Sequence, residues 1–190
     1  MSKLVKEFDR LARKYFSFLE TSFGFVLHAG ESILRYETQN VYVLIGYDSN
    51  RSYELSIDLG RRSSTKEPPF NFGEILRSVK APEMVPFSYQ ASSEEVLERC
   101  LEKLAQSLWK YGADFLRNDT AAFLRLAEFR QREGAAYALS RDLRLARTQA
   151  EAAWVRKDYA KVIRALEALE AHLTPAEMNR LTYSRKHSQS

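Results

Sequence analysis

Asn40-Val41-Tyr42-Val43-Leu44-Ile45-Gly46-Tyr47-Asp48 is the stretch that decides the fold. Its interior is apolar at consecutive positions and rich in β-branched and aromatic residues, which favours a strand. A strand apolar on both faces is expected at the centre of a sheet, covered on both sides. Gly46 inside it predicts a bulge or a close backbone approach. Asp48-Ser49-Asn50-Arg51 then reads as a turn. Beyond the turn, Tyr53, Leu55, Ile57 and Leu59 alternate with Ser52, Glu54, Ser56 and Asp58. Alternation of that kind is a strand with one wet face, near a sheet edge. Upstream, Phe25-Val26-Leu27-His28 and Ile33-Leu34-Arg35-Tyr36 are two further short strands around Ala29-Gly30-Glu31. Connections this short join antiparallel neighbours, so the expectation is a meander of about four strands.

Helical spacing takes over on either side. Leu4, Phe8, Leu11, Tyr15 and Phe18 recur every three or four residues and predict a helix over 3–19, with Gly24 breaking the run. The polar stretch 61–69 reads as a loop. Asn71 with Glu74 three residues on predicts a capped helix carrying Ile75, Leu76 and Val79, which Pro82 and Pro86 end. Ser92 with Glu95 predicts a capping box, followed by a long helix to about Arg117. Leu97, Leu101, Leu104, Leu108, Tyr111 and Phe115 form its packing seam, for burial on the sheet or for a homodimer. Asn118 or Asp119 caps a helix to about Arg132, Gly134 punctuates it, and a separate helix covers 135–156. A further helix spans 158–172, and Thr174-Pro175-Ala176-Glu177 starts the last one. The fold class is therefore α+β: an N-terminal helix, the meander, then an all-helical C-terminal half. The division follows as an α+β domain over 1–117, a helical subdomain packed on it over 118–183, and a polar disordered tail over 184–190.

Composition narrows the functional classes. Aromatic residues make up 12% of the chain, which suits a packed core rather than a disordered segment. The single cysteine, Cys100, cannot form an internal disulfide, so no oxidising compartment is implied. Charges interrupt the N-terminal residues, and no apolar run approaches the roughly 20 residues that span a bilayer. The expected setting is cytoplasmic, without a membrane. Residues 1–120 carry 16 Lys/Arg against 17 Asp/Glu, while residues 121–190 carry 13 against 8. The positive excess thus belongs to the C-terminal helices, where it suits a solvated helix face, an acidic partner or nucleic acid.

No residue pattern carries a recognisable chemistry. Cys100 sits in a helix beside the leucine seam, the setting of a structural thiol. His28, His172 and His187 form no paired metal motif, and the glycines form no phosphate-binding loop. Glu54 and Asp58 share a strand face about 13 Å apart, too far for a glycosidase pair. No cofactor and no catalytic or metal residue is therefore expected. An enzyme of unfamiliar type would need Tyr36, Tyr42, Tyr47 and His28 to converge at the sheet. The favoured reading is a non-enzymatic protein-binding module, with Arg35, Arg51, Glu54, Ser56 and Asp58 as its contact surface. The alternative places nucleic acid or an acidic protein on Arg141, Arg144 and Arg147.

Two segments resemble known proteins. Tyr47-Asp48-Ser49-Asn50-Arg51-Ser52-Tyr53-Glu54-Leu55, followed by Phe72-Gly73-Glu74-Ile75-Leu76-Arg77, resembles a group of small uncharacterised bacterial proteins, some of which look like immunity proteins from toxin loci. The resemblance implies a bacterial, cytosolic, toxin-neutralising inhibitor or adaptor, whose partner is a toxin or a complex subunit. It transfers no catalytic residue. Ala153-Trp154-Val155-Arg156-Lys157-Asp158-Tyr159 with Ala165-Leu166-Glu167 is similar to one tetratricopeptide helix pair. Val162 departs from that family's small residue and no second copy follows at its 34-residue step, so a plain helical hairpin is the simpler expectation.

Overall fold

The computed structural model describes residues 3–30, 32–63, 68–82 and 89–188. They divide into two units, 1–129 and 130–190. In the first, β1 (Val26–Ala29), β2 (Ile33–Glu37), β3 (Val41–Tyr47), β4 (Leu55–Arg61) and β5 (Phe70–Asn71) form one antiparallel sheet in chain order. The expected meander is present, with β3 at its centre. The fifth strand adds only two residues, pairing Leu59 with Phe70 and Asp58 with Asn71. Gly46 sits in unbroken register opposite Ile33 and Ser56, so it is a close approach and not a bulge. One expectation fails among the described residues: β3 is fully buried on one face and only partly covered on the other. Val41, Val43, Ile45 and Tyr47 are buried, while Tyr42 and Leu44 on the other face are half-buried.

The covered face meets α1 (Lys3–Phe16) and α4 (Glu94–Leu116). In α1, Val5, Phe8, Leu11, Ala12 and Phe16 are buried. The predicted single helix 3–19 is interrupted at Ser17, whose hydroxyl donates to the Lys14 carbonyl at 3.1 Å, and α2 (Phe18–Phe23) follows. Gly24 ends α2 in the left-handed region, at φ 69°, where its N–H reaches the Glu20 carbonyl. The α4 seam is buried within this unit: Leu97, Leu101, Leu104, Leu108 and Phe115 all belong to its core. The N-cap of α4 is Ser93 rather than Ser92, because the Ser93 hydroxyl is the one that accepts from the Val96 N–H. Asn71 caps α3 (Phe72–Ser78) as expected, accepting from Gly73 N–H at 2.9 Å, while its own N–H donates to Glu74 at 2.8 Å.

Helix α5 (Thr120–Val155) changes the predicted division. Asp119 caps it by accepting from Ala122 N–H at 2.9 Å. Its first turns carry Ala122, Phe123 and Leu126 into the first core, where the Phe123 ring meets Phe115 edge-on at 5.3 Å. The division therefore falls after Phe129 and not after Arg117. The expected break at Gly134 is absent, and α5 runs straight through it. One glycine in a helix costs about 1 kcal/mol relative to alanine. That is too little to stop a helix flanked by Gln131, Arg132, Glu133 and Ala135. Nothing lies within 4 Å of where a Gly134 side chain would start. Gly134→Ala should therefore raise stability by about 0.5–1 kcal/mol, read as a higher urea midpoint with an unchanged slope. A lower midpoint would show that the glycine serves a packing role.

The second unit holds the rest of α5, α6 (Tyr159–Leu166), a 3-10 turn over Glu167–His172 and α7 (Pro175–His187). Lys157, at φ 55°, turns the chain out of α5, and Asp158 caps α6 by accepting from Lys161 N–H at 3.1 Å. Ala146, Ala150, Ala153, Val162, Leu166 and Leu181 are its buried core. Thr174, Pro175 and Glu177 start α7 as the sequence predicts. The expected disordered tail from Ser184 is corrected: α7 continues to His187, Ser184 is fully buried, and Arg185 binds Glu170 at 2.8 Å. Helical spacing from Leu181 carries Ser184 onto the inward face, although its residue type reads as polar surface.

Candidate functional site

Strand parity assigns the sheet's open face. Residues paired across neighbouring strands share a face, so the register defines three rows on it. The first is Val26, Glu37, Tyr42 and Gly60; the second His28, Arg35, Leu44, Asp58 and Asn71; the third Ile33, Gly46 and Ser56. Glu37 is the hub. Its carboxylate accepts from Arg35 Nε at 2.8 Å and lies 3.3 Å from His28 Nε2 and 3.4 Å from Arg62 Nη1. Only 17% of its side chain is exposed. The Arg35 hydrogen bond, with the Arg62 and His28 charges behind it, holds this carboxyl below the usual carboxylate range.

Arg35 also stacks on Tyr42, its guanidinium carbon 4.6 Å from the ring centre. The Tyr42 phenol lies against Gly60, in the space a Cβ there would need. A glycine at 60 thus lets Tyr42 lie flat on the sheet, which in turn fixes Arg35. Beside this polar cluster, Val26 and Ile33 are 59% and 53% exposed. Burial pushes the Asp58 carboxyl up, and its hydrogen bond from Asn71 Nδ2 at 3.4 Å offsets this only in part.

The residues expected to form a contact surface do not all come together. Arg35, Ser56 and Asp58 share the open face. Arg51 stands in the turn that Asp48 organises by accepting from the N–H groups of Asn50, Arg51 and Ser52. Glu54 lies ahead of β4, bridged to Gln90. Sequence reasoning missed Glu37, Arg62, Val26 and Ile33 as members of the cluster. The spacing of Arg35 and Glu37, two apart on one strand, was the one available signal for a shared face.

The four residues that an enzymatic pocket would need lie on opposite faces. Tyr36 and Tyr47 are in the core, and the Tyr47 hydroxyl donates to the Ala91 carbonyl at 2.5 Å. His28 and Tyr42 are on the open face. Burial pushes the half-buried Cys100 thiol up, away from its thiolate form. Among the described residues no three His, Cys, Asp or Glu side chains gather as metal ligands, and no helix is long and apolar enough to cross a membrane.

Of the three basic residues singled out on α5, two are engaged internally. Arg141 binds Asp142 at 2.9 Å, and Arg147 binds Glu177 at 2.6 Å. Arg144 is exposed. Glu177 also accepts from the Thr174 N–H at 2.7 Å, and these bonds bring its carboxyl down to about 2. A depressed folded-state carboxyl adds stability above its ordinary value and loses it as pH falls toward the folded value. The second unit should therefore lose about 1–2 kcal/mol from this group between about pH 4.5 and 2, the size limited by the screened Arg147 partner. Glu177→Gln should remove that part of the acid sensitivity in urea titrations at each pH. An identical acid slope in the variant would assign the loss to other groups.

No known family, curated protein or solved structure matches this chain.

Proposed function

We propose that this chain is a non-enzymatic binding protein that holds another protein on the open face of its sheet. The observation that carries the reading is the pairing of a pre-formed ionic cluster with exposed apolar side chains. Glu37, Arg35, His28 and Arg62 are already held in place by one another, and Val26 and Ile33 stand uncovered beside them. Side chains that are ordered in advance lose less entropy on binding. Arginine and tyrosine stacked together, as Arg35 and Tyr42 are, belong to the residue types that dominate interface energies. The likeness of the 47–55 and 72–77 segments to small bacterial proteins, some of them like immunity proteins, supports a toxin or a complex subunit as the partner in the cytoplasm.

The test is affinity capture from the source cells with the full chain, read by mass spectrometry. A partner retained by the wild type and by Arg51→Ala/Glu54→Ala, yet lost by Ile33→Asp/Arg35→Glu, is the expected result. Equal retention by all three chains would reject the open face. Loss with Arg51→Ala/Glu54→Ala alone would move the contact to the turn.

A further inference from the structure

A second site, independent of the sheet face, lies in the second unit. The end of α5 and the length of α6 enclose a groove of about 410 Å³. Three alanines line it together with Gln149, Arg156, Asp158, Lys161 and Arg164. We propose that this groove binds a phosphate-bearing ligand.

The charge balance of the unit supports this. The six carboxylates between Gly134 and His187 are each engaged by a cation of the same unit. Asp142 is held by Arg141, Glu151 by Arg180, Asp158 by Lys161, Glu167 and Glu170 by Arg185, and Glu177 by Arg147. Arg156 and Arg164 are left exposed, with no ion pair to either among the described residues. They rise from two different elements into one groove. Asp158, the one acid lining the groove, bridges Lys161 Nζ at 2.7 Å and caps α6 through the Lys161 N–H. It therefore orients the ammonium and offsets part of the Arg164 charge, and one carboxylate among three cations leaves the groove positive.

The form of the groove favours phosphate over a peptide carboxylate. Arg156, Arg164 and Lys161 line one small groove, and a phosphate offers them more oxygens and more charge than the two oxygens of a single carboxylate. The apolar part of the lining comes from three alanines and bears no bulky side chain, so it leaves room for a compact polar group. The volume falls in the range of small-ligand pockets. Such a phosphate comes either from a small phosphate ester or from a nucleic-acid backbone.

The experiment uses the full chain, with pyrophosphate as the probe in calorimetric titration. Saturable binding is expected, weakened roughly tenfold or more by Arg156→Gln and again by Arg164→Gln, the loss of a charge-assisted hydrogen bond in each case. Arg144→Gln should bind as the wild type does. On the wild type itself, pyrophosphate should protect Arg156 and Arg164, but not Arg144, from phenylglyoxal. That measurement stands even if a variant folds poorly. A labelled single-stranded oligonucleotide that binds tighter than pyrophosphate, and is lost in the same variants, assigns the phosphate to a nucleic acid. An oligonucleotide that binds no better assigns it to a small ester. Absence of saturable pyrophosphate binding, unchanged affinity in both variants, or binding of polyglutamate in its place would overturn the proposal.

Discussion

Leu181→Ala should lower the stability of the second unit by about 2–5 kcal/mol, the range for removing a fully buried leucine. Leu181 is 0% exposed, in a core whose other buried members are three alanines, Val162 and Leu166. Trp154, Ile163, Leu169, Leu173 and Met178 pack around this core only partly buried, so truncating its fully buried leucine removes a central contact. A unit this small has a margin of only a few kcal/mol. The expected readout is early loss of α6 and α7 and a red shift of Trp154, whose ring packs edge-on against Tyr159 and Tyr183 at 5.9 and 5.5 Å. Trp109, which packs against Phe18 and Phe23 in the first unit, should keep its emission. Ser184→Ala is the contrast. Its buried hydroxyl has no hydrogen-bond partner among the described residues, so removing it should be neutral or stabilising by up to about 1 kcal/mol. If Leu181→Ala unfolds with the wild-type midpoint, the described core of this unit is wrong.

Phe8→Ala should lower the stability of the first unit by about 3–5 kcal/mol. Phe8 is 0% exposed, and its ring lies 5.5 Å from that of Tyr47, joining α1 to the central strand. Loosening that joint also disturbs the Tyr47 hydroxyl, which holds the Ala91 carbonyl ahead of α4. A loss of that size takes a large share of the 5–15 kcal/mol typical of a whole domain. Urea unfolding followed at Trp109 should show a clearly lower midpoint, whereas Phe8→Leu, which keeps most of the volume, should lose less than about 1.5 kcal/mol. A midpoint for Phe8→Ala within error of the wild type would remove the α1–sheet contact from the core.

Local rules read this chain well wherever one short segment contains the whole cause. The alternation from Leu55 to Leu59, the Asn71 and Thr174 caps and the seam of α4 each depend on neighbours a few residues away, and each is present. Reading failed where a local signal was outweighed by its surroundings. Gly134 and Ser184 are examples: each looks like an ending, and each lies inside a helix. A glycine's penalty is small beside the summed preference of a long helix. A serine's polarity is small beside the burial of Leu181 one turn away.

The candidate site shows the same limit. Arg35, Ser56 and Asp58 could be placed on one face from their strands alone, because the period of two is a property of the strand itself. The Glu37 cluster could not, since His28, Arg35 and Arg62 come from separate segments and meet only once register and turns are set. The groove residues Arg156 and Arg164 were visible as charges, but their shared location was not.

By itself, then, the amino-acid sequence determined the α+β class, the meander with its wet face and most of the helix starts, because hydrophobic period and capping act over a few residues. Only the tertiary structure decided that β3 is fully buried on one face and only partly covered on the other, that α5 is continuous, that the first core extends to Phe129, and which charges face one another. Those outcomes depend on contacts between residues far apart in the chain, and their energies are settled by the assembled core and not by any one segment.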